Sequence, residues 1–96
     1  MQPPDISLKN NKAEIHFIIS GPLTHVKVKN CVDGTEECVT ENVLVPQKIM
    51  KYDFITELAL AAPKAKRWLF LFWIYDDDVA LNSEPIEIVV TKASSK

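Results

Sequence analysis

The stretch "RWLFLFWIYDDD", Arg67 to Asp78, sets eight large apolar or aromatic residues in a row and then three aspartates. A strand with one wet face needs an apolar residue only at every second position, because successive side chains point to opposite sides of the sheet. A strand apolar on both faces must be covered twice or must meet a partner. As a strand, the run divides into Trp68, Phe70, Phe72 and Ile74 on one face and Leu69, Leu71, Trp73 and Tyr75 on the other. One set can enter a core, and what covers the other decides what the chain can do.

Around this run the sequence alternates apolar with polar residues. "ISLKN" and "AEIHFIIS" read as two strands joined across Asn10-Asn11, with Ile15, Phe17 and Ile19 on one face. Gly21-Pro22 ends the second of them, since proline lacks the donor that a central ladder needs. "LTHVKVKNCVDGTEECVTENVLV" predicts a hairpin, with Val26 and Val28 alternating, a loop from Asp33 to Glu36 carrying the Asp33-Gly34 turn signal, and a return strand from Cys38 to Val45. In "KYDFITELALAA", Tyr52, Phe54 and Ile55 favour strand, whereas Glu57 to Ala62 are good helix formers cut off by Pro63. The reading there is a strand ending in a helical turn. "EPIEIVVTK" closes the series with Ile86, Ile88 and Val90 facing inward.

Seven short strands without an amphipathic helix predict an all-β fold, a two-sheet antiparallel β-sandwich. The length of 96 residues fits a single domain, spanning about residues 5–92 with linker-like ends at 1–4 and 93–96. A composition that is 47% hydrophobic is too apolar for a disordered chain. The net charge of -2 offers no general attraction to nucleic acid or to an anionic membrane, so neither is expected as a partner. No apolar run is long enough to insert across a bilayer as a helix, and "MQPPDISLKNN" does not read as a signal peptide. None of the five asparagines begins a glycosylation sequon. The compartment stays open between the cytoplasm and an extracellular setting.

The order and spacing of these strands resemble a fibronectin type III domain. The resemblance is carried by the proline-led first strand, "SGPL" after the second, the hairpin around "DG", "YDFITELALAAPKAKRWLFLF" and "NSEPIEIVVT". Leu58, Pro63, Trp68 and Ser83-Glu84-Pro85 occupy the slots of the family's leucine, loop proline, aromatic of the penultimate strand and opening of the last strand. Phe17 to Ile19 stand where a tryptophan is usual, Val26 where a tyrosine is usual, and Trp68 replaces the corner tyrosine. The resemblance implies that Trp68, Phe70, Phe72 and Ile74 point into the core. By the same resemblance the outer row of Leu69, Leu71, Trp73 and Tyr75 lies beside His25, Lys27, Lys29 and Cys31 on one flank and Glu87, Val89 and Thr91 on the other. It also makes the Asp76 to Asp78 loop a candidate contact site.

Chemistry beyond binding finds little to build on. His16 and His25 fall on outward positions of different strands, and no glycine-framed nucleophile stands near either, so no catalytic residue is assigned. Two glycines are too few for a phosphate-cradling loop, and no cofactor is implied. Cys31 and Cys38 straddle the Asp33-Gly34 turn symmetrically, which fits a disulfide across the hairpin or, equally, two reduced thiols. With His25 they match no zinc spacing, and no metal site is assigned. Asp76, Asp77 and Asp78 with Asn82 and Glu84 supply hard oxygens, but without calcium-loop spacing they read as a solvated acidic rim. "PKAKR", Pro63 to Arg67, resembles a nuclear-import or anion-binding cluster and reads more simply as a solvated turn.

The outer row is thus the main functional signal, because contiguous exposed apolar surface marks interfaces and tryptophan and tyrosine concentrate binding energy. The expectation is a non-catalytic interaction module of adhesion or receptor type. It binds a protein partner or a second copy of itself through Leu69, Leu71, Trp73, Tyr75, Asp76, Asp77 and Asp78 with His25, Lys27 and Lys29. Full burial of two aromatics and two leucines would contribute about 6–12 kcal/mol before association costs. Two alternatives stand beside it: a carbohydrate-binding module stacking sugars on Trp73 and Tyr75, and a structural spacer whose outer row is covered by its own loops, by "ELALAA" or by a neighbouring domain.

Overall fold

Residues 3–45 and 51–92 are described by a computed structural model. Its strands run in chain order as β1 (Asp5–Lys9), β2 (Lys12–Ser20), β3 (His25–Val32), β4 (Cys38–Leu44), β5 (Lys51–Ala59), β6 (Arg67–Asp76), β7 (Val79–Ala80) and β8 (Ile86–Thr91). They form two antiparallel sheets, β1-β2-β5 and β4-β3-β6, the latter extended on the far side of β6 by β7 and β8. The all-β sandwich read from the alternation is the fold. The extra strand is β7, which arises because Asp77 turns the chain back at φ 53°, so that Val79 pairs with Asp76. The linker-like reading at residues 1, 2 and 93–96 lies outside the described residues.

Each expected inward face is the buried one. Ala13, Ile15, Phe17 and Ile19 of β2 meet Trp68, Phe70, Phe72 and Ile74 of β6, and all eight are buried. Phe17 links the layers: it stacks on Phe54 of its own sheet at 5.1 Å between centroids and meets Phe72 of the other edge-on at 5.8 Å. Such aromatic pairs contribute about 0.5–1.5 kcal/mol beyond the area they bury.

The helical turn expected after Phe54 does not form. β5 stays extended to Ala59, with Leu58 buried and Glu57 and Ala59 exposed, and Leu60 continues into the core. Packing against the second sheet outweighs the helix propensity of Glu57 to Ala62, which amounts to tenths of a kcal/mol per residue. The chain turns instead at Ala62, where the Ala65 N–H donates to the Ala62 carbonyl across Pro63.

Two side chains hold this corner. Asn30, on the inner face of β3 and 1% exposed, donates to the Ala59 carbonyl at 3.0 Å and accepts from the Ala61 N–H at 2.8 Å. Trp68 donates its indole N–H to the Ala61 carbonyl at 2.6 Å. A segment that crosses between sheets leaves backbone groups without ladder partners, and these two side chains supply them. Trp68 thereby makes a back-bond to upstream main chain of the kind that a corner tyrosine makes in immunoglobulin-like sandwiches.

Candidate functional site: the outer face of the five-stranded sheet

The β3–β6 register sets Tyr75 beside His25, Trp73 beside Lys27, Leu71 beside Lys29 and Leu69 beside Cys31. On the other flank β8 places Val89 beside Leu69, Glu87 beside Leu71 and Thr91 beside Arg67. The outer row and its neighbours therefore stand where the resemblance implied. All four residues of the row are half-buried rather than exposed.

Their cover comes from within the sheet. The Lys27 ammonium lies 5.3 Å from the centre of the Trp73 ring, a cation–π distance, so the lysine stem lies along the tryptophan while its charge stays near water. His25 stacks on Tyr75 with centroids 4.8 Å apart and planes 4° from parallel. Leu69 sits beside the Cys31–Cys38 disulfide, whose Cα atoms are 4.0 Å apart. The "ELALAA" segment, one expected cover of the row, belongs instead to the opposite sheet and to the core, where Leu58, Leu60 and Ala61 are buried. The apolar surface widens at its flanks, where Leu44 is 76% exposed and Val89 48% exposed.

The outer face of the three-stranded sheet is built differently. Ile55 is exposed there and Ile18 half-buried, but Lys9 pairs with Glu14 at 3.5 Å, Lys12 with Glu57 at 3.9 Å and His16 with Asp53 at 2.6 Å. The two lysine–glutamate pairs are exposed enough to stabilise little, and with the His16–Asp53 hydrogen bond they make that face polar. The two histidines consequently lie on opposite outer surfaces of the sandwich.

The rim of the candidate face is tied down by Thr24 and Asn82. Thr24 donates its N–H to the Tyr75 carbonyl at 2.8 Å, and its hydroxyl oxygen accepts from the Asp77 N–H at 2.8 Å. Asn82, pictured from sequence among oxygen ligands, is committed to the backbone: it accepts from the Ile74 N–H at 2.9 Å and donates to the carbonyls of Phe72 at 3.1 Å and Glu84 at 2.7 Å. Its carboxamide thus bridges the gap in the β6 ladder between β7 and β8. Among the described residues no three His, Cys, Asp or Glu side chains gather in metal-binding geometry.

The loop of the hairpin that the disulfide bridges is one residue longer than read, running from Asp33 to Glu37. Gly34 adopts φ 79°, the left-handed position of a type II turn closed by the Thr35 N–H on the Val32 carbonyl. The Val32 N–H then donates to the Glu37 carbonyl, which leaves Cys31 and Cys38 as the next, closely spaced pair and in reach of each other. Arg67, the last of the basic cluster, pairs with Asp33 at 2.8 Å.

Sequence reasoning missed Asn30 and Thr24 because each acts on backbone distant in the chain, and it gave Asn82 the role of an oxygen ligand rather than of a backbone tie. The one available signal was Asn30, a polar residue at the inward position that follows Val26 and Val28. Comparison of the chain with protein families, with curated proteins and with solved structures found no match.

Proposed function

We propose that this chain is a non-catalytic interaction module of the fibronectin type III kind, which binds a protein partner through the outer face of its five-stranded sheet. The observation that carries the reading is the contrast between the two outer faces: two ion pairs and the His16–Asp53 hydrogen bond on one, and on the other a row of Leu69, Leu71, Trp73 and Tyr75 flanked by exposed Leu44 and Val89. The Asp76 to Asp78 turn forms an acidic rim at one end of this face, and Lys27 and Lys29 add positive charge along its flank, so a partner with mixed charge around an apolar centre suits it. Because the four residues are already largely covered, burying what is left of them contributes at most about 2–4 kcal/mol, about a third of what full exposure would have offered. That favours a reversible complex rather than a permanent one.

The family reading is supported by β4, which pairs with β3, whereas in immunoglobulin constant domains the fourth strand joins the first, second and fifth. The disulfide also lies within one hairpin and does not join the sheets. A bridged Cys31–Cys38 pair suits an oxidising, extracellular setting. A sugar platform is disfavoured because Lys27 and His25 already occupy one side of the Trp73 and Tyr75 rings.

Photo-crosslinking tests the reading. A photoreactive residue at Leu71 is expected to give a discrete protein adduct that the same residue at Ile55, on the opposite face, does not give. The adduct should vanish when Trp73→Lys is added. Equal labelling at both positions, or an adduct indifferent to Trp73→Lys, sinks the proposal.

A further inference from the structure

The β8 edge has properties that the other sheet edges lack. Five of its six residues, Ile86, Ile88, Val89, Val90 and Thr91, are β-branched, and Glu87 is its one charge. By contrast β1 carries Asp5 and Lys9, and β5 carries Lys51, Asp53 and Glu57. Edges are normally protected by charge, proline or brevity, because their unpaired backbone groups template another strand. β4, the remaining long edge, is interrupted by Glu41 and Asn42 and tethered at Cys38.

The ladder fixes which β8 groups are free to pair. Lys92 donates its N–H to the Lys66 carbonyl, so by the two-residue period Ile86, Ile88 and Val90 direct their amides and carbonyls at β6. Glu87, Val89 and Thr91 direct theirs outward, and among the described residues no strand pairs with them.

We infer that β8 pairs antiparallel with β8 of a second copy of this chain about a two-fold axis at Val89, joining the two five-stranded sheets into one. In that register Val89 faces Val89 of the second copy and Glu87 faces its Thr91, and each such pairing exchanges two backbone hydrogen bonds. No like charges stand opposite each other. Arg67, the β6 neighbour of Thr91, lies one strand beyond it, on the same face as the incoming Glu87. At the axis Leu69 and Val89 of one copy continue into Val89 and Leu69 of the other, covering a valine that is 48% exposed in the single chain. A β-strand supplied by a different protein would gain the same backbone bonds but not this symmetric fit. The inference concerns the edge and does not rest on the reading of the outer face.

Sedimentation of the whole chain from micromolar to near-millimolar concentration tests it. The expected result is a monomer–dimer equilibrium, with the Glu87, Val89 and Thr91 amides exchanging more slowly with solvent as the dimer fills. Val89→Pro removes an outward N–H that β6 does not use, and Val89→Lys sets two charges face to face while leaving the backbone intact. Each should raise the dissociation constant roughly tenfold or more with near-ultraviolet circular dichroism unchanged; if the proline variant unfolds, the lysine variant decides. A chain monomeric at every concentration overturns the inference, as does a dimer insensitive to Val89→Lys. A dimer lost in Leu71→Lys with Trp73→Lys but kept in Val89→Lys also overturns it, and leaves the outer face as the interface.

Discussion

Replacing Asn30 by alanine probes how the two sheets are joined at the β5–β6 corner. The side chain is 1% exposed and satisfies the Ala61 N–H at 2.8 Å and the Ala59 carbonyl at 3.0 Å. An unsatisfied buried group costs about 1–3 kcal/mol. The Ala61 amide lies in a buried contact and bears the full cost, whereas the Ala59 carbonyl lies in a part-buried one and bears less of it. The sum, with a small cavity, is a loss of about 2–4 kcal/mol. For a domain of this size that is a large share of a total near 5–15 kcal/mol. Urea unfolding with the disulfide intact measures it: a loss of about 3 kcal/mol lowers the midpoint by about 1–3 M. Asn30→Leu separates the causes, since it fills the space but leaves both backbone groups unpaired, and it should recover less than half of the loss. If Asn30→Ala costs under about 1 kcal/mol, or Asn30→Leu restores full stability, the corner is held by packing and not by these hydrogen bonds.

Two further outcomes are expected. Reducing the Cys31–Cys38 bridge, or replacing both cysteines by serine, should cost about 2–3 kcal/mol through the entropy of a short loop and leave the fold intact, as urea unfolding with and without reductant would register. Ala62 holds φ 45° in a region that costs an L-residue about 1–2 kcal/mol, so Ala62→Gly should raise the thermal midpoint by a few degrees even though glycine adds freedom to the unfolded chain; a fall in the midpoint would show that Ala62 is not strained.

These positions also mark the boundary between local and tertiary information. The alternation of β2 and β8 is a property of a few adjacent residues, and because side chains on a strand point to opposite faces, it determines those strands and their inward faces. β6 is apolar on both faces, so the assignment of Trp68, Phe70, Phe72 and Ile74 to the core followed only from the resemblance and, in the structure, from the docking of the second sheet. The Asp33-Gly34 turn likewise brings Cys31 opposite Cys38, with register following from turn length. The outer row and its flanking residues were legible from the same resemblance, which gave β6 the neighbours β3 and β8.

What the sequence could not decide depends on groups that meet only after the sheets dock. Glu57 to Ala62 carry a helix-forming composition and become strand because Leu58 and Leu60 reach the core that β6 completes. Asn30 reaches main chain 29 and 31 positions away, and no local pattern announces such a partner. The fate of the outer row was equally non-local. Strand geometry says that Trp73 and Tyr75 share the face opposite Trp68 and Phe70, but their half-burial follows in part from Lys27 and His25 lying over them from the neighbouring strand. Period-two patterning thus fixes which way a side chain points, and tertiary packing decides what it meets.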